Sequence, residues 1–306
     1  MSTRTPVLSQ NPWWGALMVA PVVLGLLALT YAPSVVSFGL SFTQWDLLSA
    51  VQPVGLGNYT NLLTTPDFWR VLGTTTVFVV STTGLQLVLG SLLAWWLYQL
   101  AGQSPKAKTL AGALQTLYFM PYVTPMVAVA LVFGWLFEGE QGLANQLALW
   151  LGLVQTPQAW LHQAPTALAG VITLDVWKTL GYTLLLVLAG LQALSPAVLE
   201  AAELDGATGW RQLRLIVLPL LAPTLWVVGL LTIIHAMLAF DAIYLLTQGG
   251  PNKATTVLVF WLFQQAFLWY SAGKASAIAY LLAVLLVGLT LVQWRIKAHQ
   301  TQGDPA

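Results

Sequence analysis

Three carboxylates and two guanidinium groups fall within fifteen residues of an otherwise apolar chain: Glu200, Glu203, Asp205, Arg211 and Arg214. Buried in hydrocarbon, each would cost about 2.5 kcal/mol or more, so they face water or another protein. The island Glu200-Ala201-Ala202-Glu203-Leu204-Asp205-Gly206 lies between two long apolar segments. A loop built this way is a docking surface for a soluble partner. Pro196 ends the preceding apolar run, because it lacks an amide hydrogen and restrains the residue before it. Helix formers then predict a helix over 197–205. Glu200 and Glu203 are expected in an early turn, where the helix dipole favours anions; Glu203 and Asp205 fit a solvated face equally well. Gly206 and Gly209 allow a sharp turn through positive φ. Trp210 to Leu218 reads as a second short helix. Ala201, Ala202 and Ala207 form a small face that another surface can approach closely.

A second set of groups lies inside the apolar runs. Asp175 and Lys178 are three apart on one helical face; they either pair with each other or line a passage. His235 either hydrogen-bonds a neighbouring helix or lines the same passage. Asp241 and Tyr244 lie near the end of their run, as gate or cap residues. Other chemistry is excluded. The chain has no cysteine, which removes disulfides, thiolate catalysis and zinc–thiolate sites. His162, His235 and His299 are scattered, without a His-Glu-x-x-His spacing. A phosphate-binding loop needs Gly, four residues, then Gly-Lys-Ser/Thr; Gly273-Lys274 is followed by Ala275. Any ATP is therefore hydrolysed elsewhere.

The elements that must hold these groups are membrane spans. Of 306 residues, 58% are hydrophobic and 7% charged, against about 25% charged in soluble domains. The net charge of +1 suggests no nucleic acid partner. A span needs about 20 apolar residues. Six apolar runs qualify, near 14–42, 72–99, 110–137, 166–194, 215–246 and 275–294. The first is expected to be a retained span, with no small-residue cleavage site after it. The reading is one all-α transmembrane domain over 1–306, with a loop at 195–219 between spans four and five. Placing both termini in the cytoplasm puts seven basic residues inside (Arg4, Lys106, Lys108, Arg211, Arg214, Arg295, Lys297) and three outside (Arg70, Lys253, Lys274). That bias fits the positive-inside rule and makes the Glu200 loop cytoplasmic. Residues 141–163 are expected to form an amphipathic helix along the outer surface rather than a seventh span. Pro21, Pro33, Pro121, Pro125 and Pro223 fall inside spans, as simple kinks or as hinges near a path. The tail from His299 to Ala306 is polar.

The island resembles the cytoplasmic loop of binding-protein-dependent ABC importer permeases. That signature is Glu-Ala-Ala, three residues, Gly, nine residues, Ile, any residue, Leu-Pro. Glu200-Ala201-Ala202, Gly206, Ile216 and Leu218-Pro219 match it without departure. Gly55-Leu56-Gly57-Asn58-Tyr59 and Thr247-Gln248-Gly249-Gly250-Pro251 with Thr255 are similar to loops of the sugar-type subgroup, that of the maltose and glycerol-phosphate transporters. The likeness covers roughly residues 12–295.

The resemblance implies a coupling helix that docks on an ATP-hydrolysing subunit through Glu200, Ala201, Ala202, Asp205 and Gly206. It implies a second homologous permease (a heterodimer), two ATPase subunits that carry ATP and magnesium, an external solute-binding protein and a bacterial inner membrane. No cofactor is expected in this chain. The family's sugar-contacting positions fall on Tyr182, Thr232, His235, Ala236 and Ala239, with Lys178 added as a pathway residue. Ala236 and Ala239 stand where amide side chains occur in the maltose permease, which argues for another solute or for solute contact by the partner. No arginine lies inside a span, although a phosphate ester calls for one. A neutral carbohydrate or polyol is therefore preferred to a glycerol phosphate. An ion-coupled secondary transporter and an intramembrane enzyme would both leave the island unexplained.

Overall fold

The computed structural model describes residues 12–302, and the side chains of residues 13–295. Arg4, the Lys297 side chain and the side chains of the tail from His299 to Ala306 lie outside the described residues. Residue packing divides the chain into two compact units. One holds Met1–Thr64 and Leu262–Leu281; the other holds Thr65–Trp261 and Leu282–Ala306.

The first unit begins with helix α1 (Trp13–Leu40), which carries a π-helical turn at Leu27–Tyr31. A two-residue hairpin, β1 (Thr43–Gln44) with β2 (Gln52–Pro53), follows. Helix α2 (Gly57–Thr64) places Asn58 beneath it. The Asn58 side chain donates to the carbonyls of Ser41 at 2.9 Å and Thr43 at 2.8 Å, and the Tyr59 hydroxyl donates to Ser41 Oγ at 2.8 Å. The Asn-Tyr pair read from the sequence is thus a clasp for the hairpin.

In the second unit, α3 (Pro66–Gln103) has 38 residues, about 57 Å of helix against about 30 Å of hydrocarbon. Pro66 occupies its first turn, where no amide is needed, with Asp67 beside it. Two of its buried threonines are satisfied in apolar surroundings by bonding backward, Thr75 to the Val71 carbonyl and Thr82 to the Phe78 carbonyl, both at 2.7 Å; the buried Thr83 hydroxyl has no partner among the described residues.

The expected third span does not run straight. It divides into α4 (Pro105–Val123) and α5 (Met126–Leu136), which meet at 95°. The cause is local. Pro121 and Pro125 lack amide hydrogens, and Thr124, which precedes Pro125, is pushed to an extended ψ of 138°. Among the described residues, five helices are long and apolar enough to cross a membrane, or six if the bent pair counts as one.

Residues 141–163 also differ from expectation. Only α6 (Leu143–Trp150) is helical; the rest is a turn-rich loop tied at Asn145. That side chain donates to the Gly139 carbonyl and, at 2.8 Å, to the Gln158 carbonyl. Its oxygen accepts from the Gln158 amide at 2.9 Å and the Trp160 indole at 2.8 Å. One buried amide organises what amphipathicity alone assigned to a long helix.

Helix α7 (Ala164–Gln192) packs along α3 and α4, α8 (Pro196–Leu204) is short, and α9 (Gly209–Met237) continues through a π-turn at Leu213–Val217. Close approach to α4 needs Gly181: a Cβ there would lie 2.2 Å from the Tyr118 carbonyl oxygen. The expected run 215–246 breaks at 238–240, and α10 (Asp241–Leu246) starts anew with an acid in its first turn. Counting apolar residues cannot detect such a break. The chain ends in α11 (Leu258–Leu268) and α12 (Ala272–Gln302).

Candidate functional site

A cavity of about 610 Å³ opens in the second unit where α3, α4, α5, α7, α9 and α10 converge. Lys178, Tyr182, Thr232, His235 and Ala239 all line it. Ala236 does not: it is 1% exposed and packs within its own chain. Gln86, Tyr122, Asp175, Thr179 and Asp241 complete the polar lining.

Asp175 and Lys178 form no ion pair, and that expectation is corrected. The Lys178 ammonium turns to the α4–α5 break, donating to the carbonyls of Pro121 at 3.1 Å, Tyr122 at 3.3 Å and Thr124 at 2.7 Å. The break frees these carbonyls, and without water each needs a donor. A cation at the C-terminus of α4 also suits its dipole. Asp175 is 5% exposed, and its Oδ2 makes no hydrogen bond among the described residues.

Other polar groups are bonded within the chain. Gln86 Nε2 donates to Thr179 Oγ1 at 2.7 Å, and Thr183 Oγ1 donates to Gln86 Oε1 at 3.3 Å. Thr232 donates to the Gly229 carbonyl at 3.0 Å. Tyr182 stacks on Tyr122, ring centroids 5.2 Å apart and planes 15° from parallel. Sequence reasoning missed Gln86, Tyr122 and Thr179. The signal for Gln86 was its amide within a long apolar run, but its partners lie 93 and 97 residues away.

The elbow is the second feature. In α8, Pro196 is the first residue, so Glu200 and Glu203 fall beyond the first turn. Dipole compensation at the N-terminus therefore does not explain them, and both are exposed. The helix closes with a reciprocal pair of backbone bonds: Ala207 N–H to the Ala202 carbonyl at 2.8 Å, and Gly206 N–H to the Glu203 carbonyl at 3.0 Å. This is a Schellman cap, which demands a left-handed residue at Gly206, and Gly206 has φ +78°. Gln212, buried, donates to the Leu199 carbonyl at 3.0 Å and ties the start of α9 back to α8.

Of the expected docking residues, Glu200, Ala201, Asp205 and Gly206 are exposed. Ala202, 7% exposed, packs into its own chain, as does Ala207. The residue sequence reasoning missed is Leu204: it is 90% exposed at the tip, an apolar side chain among acids.

A third motif is a knot of hydroxyls. Thr247 and Thr255 hydroxyls lie 2.7 Å apart, Thr255 Oγ1 donates to the Gly250 carbonyl at 2.8 Å and Thr256 Oγ1 to the Gly249 carbonyl at 3.0 Å. Beside it, Lys253 pairs with Asp67 at 2.5 Å.

Apolar helices long enough for a bilayer, a polar cavity among them and a charged elbow define a membrane transport subunit. The chain belongs to the family described as binding-protein-dependent transport system inner membrane component, whose model matches residues 86–295. It is thus a multi-pass inner-membrane permease subunit of an ABC importer, in which ATP hydrolysis belongs to a partner.

Among relatives, it is 32% identical to the probable ABC transporter permease YurN of Bacillus subtilis, covering 94% of this chain and 97% of that one. It is 33% identical to the trehalose/maltose transport system permease MalF of Thermococcus litoralis, covering 92% of each. It is 30% identical to the sulfoquinovosyl glycerol permease SmoG of Agrobacterium fabrum, covering 92% and 89%. Its fold is that of a chain in a bacterial alginate ABC transporter solved with an alginate-bound periplasmic protein, with TM-score 0.80, 22% identity and 96% of each chain covered.

Proposed function

We propose that residues 1–306 act as one permease domain forming half of the path for a carbohydrate or related polyol, handed over by an external binding protein. The observation that carries this reading is the cavity: a stacked tyrosine pair beside hydroxyl and carboxylate groups is the mix of apolar face and hydrogen-bonding edge that a sugar ring needs. The relatives named for trehalose/maltose and sulfoquinovosyl glycerol support the solute class. Tyr182, Thr232, His235, Ala239 and Lys178 belong to the path, and Ala236 supports it from behind.

Both termini are cytoplasmic and α8 lies inside, a reading supported by the seven-to-three bias of basic residues. There α8 serves as the coupling helix. Glu200, Ala201, Leu204, Asp205 and Gly206 meet an ATPase subunit, while Ala202 holds the helix against its own chain. A second, different permease completes the path, since two identical chains would bring two Lys178 ammonium groups toward one axis. Two ATPase subunits supply the energy.

The test is uptake into proteoliposomes. The complete importer with its binding protein should accumulate labelled sugar only with internal ATP, and this chain alone should accumulate none. Uphill uptake by the chain unaided would overturn the reading.

A further inference from the structure

The amide, the two threonines and the ammonium of the cavity lining are committed to the protein itself. The Gln86 amide serves two threonines, Thr179 donates to the Asp175 carbonyl at 2.7 Å, and Thr232 bonds its own helix. The Lys178 ammonium is spent on three backbone carbonyls. One buried atom is left over: Asp175 Oδ2, on a residue 5% exposed that lines the cavity. A buried carboxylate oxygen without a donor is costly, and a hydroxyl of the solute or of its water supplies one. The charges around it point the same way. The lining holds two carboxylates, Asp175 and Asp241, with the imidazole of His235 and one ammonium already turned to the helix break. That balance attracts hydroxyl donors and repels an incoming anion.

We propose that Asp175 is the specificity-determining residue of the path: its Oδ2 accepts a hydrogen bond from a hydroxyl of a neutral, hydroxyl-rich solute, and the same carboxylate excludes sugars carrying carboxylate or sulfonate groups. This rests on the carbohydrate reading and narrows it. The relatives' names span both chemistries, so family membership alone does not make the choice.

The test uses the assembled membrane complex of both permeases and the ATPases in nanodiscs. Binding is followed by saturation-transfer NMR with two matched pairs of probes, maltose against maltobionate and cellobiose against cellobionate. The unaltered complex should bind the neutral member of each pair at least about tenfold more tightly. Asp175→Asn should weaken neutral binding about tenfold, in line with the loss of a hydrogen bond to a charged group, and bring the neutral-to-anionic ratio near one. Asp175→Ser is made in parallel in case the first variant does not assemble, and both are compared at equal amounts of copurified ATPase. A purely structural role would lower both members of a pair together. Equal binding of anion and neutral sugar by the unaltered complex, or an unchanged ratio in the variants, overturns the assignment. If no sugar of either kind binds while the binding protein still stimulates ATP hydrolysis, the carbohydrate reading itself falls, and the selectivity assignment with it.

Discussion

A single lysine shows how a membrane interior assigns partners. Lys178 was legible in the sequence as a charge inside a span, and helical periodicity offered Asp175 as its mate. Periodicity reports only neighbours on the same helix. The partners that win are carbonyls 54 to 57 residues earlier, exposed by prolines whose effect on a distant side chain no spacing rule contains. Three part-buried or exposed carbonyls lose a donor if the ammonium is removed, at about 0.5–1.5 kcal/mol for each bond lost. Lys178→Met is therefore expected to lower the melting temperature of the purified subunit in detergent, while Lys178→Arg keeps most of it. Equal melting of the methionine variant and the unaltered chain would show that water replaces the ammonium. Gly206 is the opposite case. Its positive φ was readable from residue type alone, because a helix cap of this kind selects glycine.

At the scale of the elements, apolar runs located the helices but not their interruptions. The bend at 124–125, the break at 238–240 and the loop around Asn145 all sit where backbone polar groups find partners inside the protein, which composition does not record. Packing is as demanding as the breaks. A methyl carbon added at Gly181 would sit only 2.2 Å from the Tyr118 carbonyl oxygen, so α4 and α7 must part to admit a side chain. Gly181→Ala should destabilise the subunit by about 1–3 kcal/mol, seen as a lower midpoint in thermal unfolding. The control is Gly112→Ala, in α4 with nothing within 4 Å, where the better helix former should be neutral or stabilising. Similar losses in both would refer the effect to the helix rather than to the contact.

For the whole molecule, the pattern of acids, glycines and leucine–proline in one loop was enough to identify the family, since water-facing acids and a glycine helix cap at fixed spacing stand out in an apolar chain. Solute selectivity was far less legible, because Gln86, Tyr122, Thr179 and Asp175 come from three helices that only the fold brings together. The exposed Leu204 was invisible too: helix propensity placed it in α8, but not at a tip that projects 90% of its surface. An apolar side chain so placed, ringed by Glu200, Glu203 and Asp205, has the form of an interface anchor with a polar rim.

The central claim is that this tip is gripped from the cytoplasm by an ATPase. The chain has no cysteine, so Leu204→Cys provides a unique handle, and Leu48→Cys, at a site 92% exposed in the loop after α1, provides its counterpart. In inside-out vesicles of the assembled importer, a short crosslinker that joins a thiol to a lysine amine should link position 204 to the ATPase and leave position 48 unlinked to it. A link from position 204 to the external binding protein, or labelling of position 204 by an impermeant reagent only from the outer face, would contradict the account.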